Sequence, residues 1–210
     1  MALNNNLEDL IAHLNWEEIR DERKELLSSL VDYIQLKVDE GLEIRLNFVC
    51  THNSRRSHLS QIWARVAAYY FDIGFISRYS GGTEATALFP VVAETLSDQG
   101  FEILKLSETN NPIYGIKYDP NADPIIAFSK TYDHPFNPMA AYAAVMTCSH
   151  ADENCPVLLG AEKRIPVTYD DPKAFDGTDI QKEKYAERSL EIATEMFYVF
   201  SQIQFDHESD

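Results

Sequence analysis

The chain has 210 residues, with 18 basic side chains against 34 acidic ones and a formal charge of −16. That charge disfavours nucleic acid as a partner, since a phosphate backbone would be repelled over most of the surface, and no apolar run or basic-then-apolar leader marks a membrane span or signal peptide. Hydrophobic residues at 45% suit one soluble globular domain, with or without an appendage, and a cytoplasmic location is expected.

Residues 1–41 carry helical signals and no evident chemistry. Leu7, Leu10, Ile11 and Leu14 repeat at helical spacing. After Asn15 as a cap, Ile19, Leu26, Leu27, Leu30, Val31, Ile34 and Val38 continue an amphipathic helix that Gly41 stops. Two readings follow, a helical pair packed on the core or an arm for homodimerisation.

A strand over 43–49 leads into Cys50-Thr51-His52-Asn53-Ser54-Arg55-Arg56-Ser57, and a helix over 58–71 leaves it. A loop between strand and helix points successive N–H groups into a concavity at the positive end of the helix dipole, where a tetrahedral oxyanion fits. Arg56 would grip two of its oxygens in a fork, and Cys50 at the base would be a nucleophile whose thiolate the same field favours. The plain alternative for Cys50 is a buried strand-end thiol.

Phe75 to Tyr79 reads as a second strand and Ser80-Gly81-Gly82 as a turn, with 84–98 as a helix that Pro90 either interrupts or delays to a start after it. Ser80 reads by itself as a cap for that helix. Three short strands over 101–106, 113–118 and 125–128, separated by Asn/Asp/Pro clusters, suggest a β meander added to the sheet. Ala140 to Thr147 is an apolar run suited to a buried parallel strand, ending at Cys148. Cys148 and Cys155 are seven apart, and across an ordinary helix roughly 10 Å would separate them, so a bridge requires the segment to rearrange. With His150 and Asp152 nearby a metal site competes, but the spacing matches no zinc pattern and none is expected. A last strand over 163–169 precedes Asp170-Asp171-Pro172, then a final helix over 178–205.

The loop from Cys50 to Ser57 resembles that of the low-molecular-weight tyrosine phosphatases and, with Thr147-Cys148-Ser149, the acidic spacer and Cys155-Pro156, more closely that of the thioredoxin-coupled arsenate reductases. The resemblance covers about 43–100 and 140–205. It implies an α/β three-layer sandwich around a mostly parallel four-stranded sheet in residues 42–210, with 1–41 as an unexplained extension and the meander as an insertion. It implies that Cys50, Arg56 and Asp171 are catalytic, Asp171 as proton donor with Asp170 the lesser candidate, that Thr51 to Arg55 supply amides, and that Asn53 and Ser57 hold the loop. Tyr79-Ser80-Gly81-Gly82 resembles the family's second-strand ending, which implies that Ser80 helps hold the loop instead of capping a helix. Cys148 and Cys155 would carry a disulfide from Cys50 to thioredoxin, with no organic cofactor. A phosphatase working through a phosphocysteine and a non-enzymatic oxyanion or redox sensor are the alternatives. Departures from the pattern are His52 in place of glycine, Arg55 in place of a small residue or cysteine, and Gln61 where some reductases carry an acidic residue at a potassium site.

Overall fold

The computed structural model describes residues 3–154 and 158–205. In chain order the elements are α1 (Asn5–Ile11), α2 (Asp21–Asp39), β1 (Ile44–Cys50), α3 (Arg56–Tyr70), β2 (Ile76–Gly82), α4 (Pro90–Asp98), β3 (Glu102–Lys105), β4 (Tyr114–Lys117), β5 (Ile125–Ala127), β6 (Tyr142–Met146), α5 (Ser149–Asn154), β7 (Ala161–Pro166) and α6 (Gln181–Ser201).

The second helix begins later than expected. A 3-10 turn over Trp16–Glu18 replaces its first residues, and the indole of Trp16 meets the rings of Phe71 and Phe197 at 6.3 and 5.3 Å. Packing of that indole outweighs the helical periodicity that runs through it. At the other end Gly41, at φ +63°, stops the helix as read. Leu7, Ile11, Leu27, Leu30 and Ile34 of the two N-terminal helices belong to one apolar core with Leu46, Phe48, Trp63 and Phe197. Arg23 adds two 2.6 Å hydrogen bonds to the Glu195 carboxylate, tying α2 to α6.

The central sheet has four parallel strands in the order β2-β1-β6-β7, with helices around it. This is the fold class expected. β1 and β6 are buried almost throughout, as continuous apolar strands covered on both faces must be. After β1 the chain moves outward to β2, and after β6 it moves to β7 on the other side. The crevice between the carboxyl ends of β1 and β6 is therefore the point where strand order reverses, the place such sheets offer to a ligand. Thr147 closes that end, its N–H and Oγ1 both donating to Val49 O at 2.7 and 3.0 Å.

Two expectations are corrected. The meander β3-β4-β5 forms its own antiparallel sheet rather than extending the central one. Ser80-Gly81-Gly82 is not a turn but the last part of β2, paired with Phe48, Val49 and Cys50. The glycines are there for close approach. A Cβ on Gly82 would lie 2.4 Å from Glu84 O and 2.7 Å from Asn53 N, and one on Gly81 would lie 2.4 Å from Tyr132 Cα. These neighbours are backbone and cannot rotate away. Gly82→Ala is thus expected to lower stability by about 1–3 kcal/mol, as overpacking does. Urea unfolding checks it, and an unchanged midpoint would contradict the close approach.

Candidate active site

The loop after β1 is built by peptide orientation. Its carbonyls face outward and are taken: Cys50 O by Thr83 N (3.1 Å), Thr51 O by Glu84 N (2.8 Å) and Ser54 O by Phe89 N (3.0 Å). His52 O accepts from the hydroxyls of Thr86 and Ser129 at 3.1 and 3.0 Å. In a planar trans peptide the N–H points opposite to the C=O. The amides of residues 51, 52, 53 and 55 therefore turn away from the 83–89 wall, and among the described residues none of them donates a backbone hydrogen bond. The N–H groups of the first turn of α3 join them, unpaired as at any helix start. Asn53, at φ +43°, makes the reversal possible; asparagine tolerates that conformation better than most residues.

Polarity within the loop is fixed step by step. Lys130 N donates to Asn53 Oδ1 at 2.9 Å. That leaves the Asn53 Nδ2 to donate to Ser57 Oγ at 2.8 Å. Having accepted there, the Ser57 hydroxyl can direct its own proton to Cys50 Sγ, 3.1 Å away. The donors of this hydrogen-bond chain all run toward the sulfur.

Arg56 lies across the loop with Nη2 2.6 Å from Asp171 Oδ2 and Nη1 donating to Tyr169 O at 2.9 Å. Its Nε is enclosed without a partner. Asp171 Oδ1 accepts from Lys173 N at 3.0 Å, so the carboxylate caps the 3-10 turn over Pro172–Phe175 while its other oxygen faces Arg56. Asp170 is fully exposed, which leaves Asp171 as the carboxylate at the loop. Arg55, one residue before, points elsewhere. It donates to the Tyr185 hydroxyl at 2.5 Å and to Asp176 at 2.7 Å, over the Phe89 ring. Its guanidinium therefore fastens α3 to α6, and only its backbone remains for the loop. His52 is partly exposed with Nε2 3.8 Å from Glu84.

Cys148, at the end of β6, is buried with Cys50 in one cluster that includes Val49, Met146 and Ala151. The hydroxyl of Thr51, next to Cys50, lies 3.5 Å from Cys148 Sγ and 3.4 Å from His150 Nδ1. Ala151 N donates to Cys148 Sγ at 3.3 Å. Cys155 and Pro156 lie outside the described residues. Among the described residues no group of three or more His, Cys, Asp or Glu side chains is placed to hold a metal.

Sequence reasoning missed the layer beneath the loop. Lys130 is 1% exposed, and its ammonium reaches Ser80 Oγ at 3.5 Å and Phe128 O at 3.3 Å, over the Phe128 and Phe136 rings. Burial pushes its pKa down to about 7. On the other side of Ser80 Oγ, at 3.3 Å, is Nδ1 of buried His58, kept neutral because burial and then Lys130 push its pKa down to about 3. Ser80 thus braces the layer under the loop and does not cap α4, whose cap position is Phe89. A lysine following Phe128-Ser129 gives no local signal of burial.

The chain matches no family model. An arsenate reductase of Staphylococcus epidermidis is 29% identical over 136 residues, 64% of this chain and 83% of the relative. One of Bacillus subtilis is 27% identical over 141 residues, 67% and 83%. Among solved structures, an arsenate reductase in a phosphate-binding state superposes with TM-score 0.51 at 15% identity, over 77% of this chain and 99% of the other. An arginine phosphatase with a phosphorylated active-site serine superposes with TM-score 0.50 at 13% identity, over 78% and 98%. At these identities the two structures speak for the fold.

Two outcomes are expected. Asn53→Ala removes the step that orients Ser57 and should lower kcat/KM on any oxyanion substrate by about 10–100-fold, the worth of one or two directed hydrogen bonds; undiminished turnover would contradict the donor chain. Lys130→Met tests the buried ammonium. Unfolded lysine titrates near about 10.4 and the native group near about 7. Between those values the unfolded state holds a proton that the native state lacks, so stability rises with pH. Below pH 7 the burial penalty is present in full. Wild type should therefore gain stability relative to Lys130→Met from pH 7 to 9.5 in urea unfolding, and parallel curves would refute it.

Proposed function

We propose that this chain, a member of the low-molecular-weight phosphatase superfamily related to its arsenate reductases, reduces arsenate to arsenite and passes the resulting disulfide to thioredoxin. The coarser statement is that it is an enzyme acting on an oxyanion through a cysteine. The relatives and the loop carry that much. The observation behind the finer reading is the second buried thiol: Cys148 shares a cluster with Cys50 and touches the hydroxyl of the residue next to it. Ester hydrolysis through a phosphocysteine does not require it, and there it would be incidental or protective.

In this reading arsenate enters against the inward amides and takes the Arg56 fork from Asp171. That frees the Asp171 carboxyl to face the arsenate as its proton donor. The Cys50 thiolate adds to arsenic, and an arsenate oxygen departs as water with the proton from Asp171. The Cys148 thiolate then attacks Cys50 Sγ. The electron pair of the breaking sulfur–arsenic bond goes to arsenic, which leaves as arsenite, As(III), and a Cys50–Cys148 disulfide remains. The Ala151 N–H and the Thr51 hydroxyl, 3.3 and 3.5 Å from the Cys148 sulfur, support this order of attack. Cys155 would attack Cys148 in turn, freeing Cys50 and forming a 148–155 disulfide for thioredoxin to reduce, with no organic cofactor. The loop charge is local: a chain of net −16 draws an anion through these groups and not through its overall field.

A phosphatase is the second reading, favoured by one observation: the Cys50–Ser57 contact and the Arg56–Asp171 pair both form without help from Cys148. Arsenate-dependent NADPH oxidation with thioredoxin and its reductase, run beside aryl phosphate hydrolysis, separates the two. Cys50→Ser should abolish both activities. Cys148→Ser should lower arsenate turnover at least about 100-fold while leaving ester hydrolysis within a few-fold, since only the first needs a second thiol. Arsenate turnover by Cys148→Ser at the wild-type rate, or ester hydrolysis alone in the wild type, would overturn the reductase.

A further inference from the structure

A second concavity lies on the edge strand β2, between α3 and β5. Its volume is about 280 Å³, and its walls include Gln61, Arg65, Arg78, Asp123, Ile126 and Phe136. Two guanidiniums face it in a chain of net charge −16, yet among the described residues neither Arg65 nor Arg78 forms an ion pair. Arg78 Nη1 is fully enclosed and has no hydrogen-bond partner. Arg65 lies over the Tyr118 ring at 5.5 Å, which softens its charge without neutralising it.

A buried cation without an anion is costly, and proteins rarely keep one unless something pairs with it. The strain is visible in Arg78, whose pKa is pushed down to about 9, first by burial and then by the neighbouring Arg65. The floor is polar as well. Gln61 turns its Nε2 to Arg78 O and Ile126 O, at 3.3 and 3.4 Å, and leaves an enclosed Oε1 without a partner. The remaining walls are apolar: Ile126 and Phe136 face the same space as the guanidiniums. Asp123 stands exposed at the rim and pairs with neither arginine, so it disfavours a second negative charge on whatever enters.

We propose that this concavity is a binding site for a small organic monoanion, a carboxylate head held between Arg65 and Arg78 with a flat or aliphatic body against Ile126 and Phe136. Head and wall chemistry both argue for it. A guanidinium fork matches a carboxylate in geometry, and the apolar walls reward a body that a simple inorganic ion lacks. The site is separate from the loop at Cys50, and its failure would leave the oxyanion chemistry untouched. Phe136 lies between the two, since its ring also covers the Lys130 ammonium at 5.4 Å.

Benzoate is the probe, titrated into the full chain with amide chemical shifts followed by NMR and the affinity measured by calorimetry. Saturable one-to-one binding is expected, with shifts centred on residues 61–65, 76–79 and 124–126. Arg78→Met and Arg65→Met should each weaken it about tenfold or more, the worth of a charge-assisted hydrogen bond, while turnover at the Cys50 loop stays within twofold. Two substitutions are used so that a folding defect in one does not decide the matter. Absence of saturable binding, wild-type affinity in both variants, or shifts confined to residues 50–57 would each overturn the proposal.

Discussion

The site depends on which way a few peptide groups face. The carbonyls of Cys50, Thr51, His52 and Ser54 are held outward by Thr83, Glu84, Thr86, Phe89 and Ser129, and so the amides that follow them face the other way. Nothing in the loop residues alone would enforce this, because a free loop of that length samples many conformations. The 82–89 segment does, and it can lie so close only because Gly82 has no side chain. The wall, the glycine and the left-handed Asn53 are thus one device. Its product is a cluster of unpaired donors over a sulfur.

Burying charge beneath such a device has a cost that the structure distributes. Arg56 is balanced by Asp171 and the Tyr169 carbonyl, and Arg55 by Asp176 and Tyr185. Among the described residues Lys130 meets no carboxylate, only a hydroxyl, a carbonyl and two ring faces. Burial, and then the nearness of Lys130, keep His58 neutral. The arginines answer to two different needs, one holding α3 to α6 and the other able to trade a carboxylate for a ligand.

Much of the fold was legible because its signals are local. The apolar runs of β1 and β6, the late helix start at Pro90 and the three short strands with their turns all follow from residues near one another in sequence. The motif from Cys50 to Ser57, and Cys148 at a strand end, were legible for the same reason. What escaped was decided at a distance. Arg55 reads as a loop cation, but its partners are 121 and 130 residues further on. A glycine pair reads as a turn until a wall is found pressed against it. Lys130 sits in a polar stretch and reads as surface, and only the packing of Phe128 and Phe136 over it makes it part of the site. Trp16 delays α2 because its indole is needed against Phe71 and Phe197.

The proposed relay turns on the Cys148 thiolate attacking Cys50 Sγ while that sulfur is bound to arsenic, so that the sulfur–arsenic pair leaves on arsenic. The most direct measurement is a single turnover of reduced Cys155→Ser protein with one equivalent of arsenate and no external reductant, followed by disulfide mapping by mass spectrometry. A peptide joining Cys50 to Cys148, formed together with one equivalent of arsenite and the loss of two thiols, is the result the account predicts. Both thiols free and arsenate unchanged would contradict it.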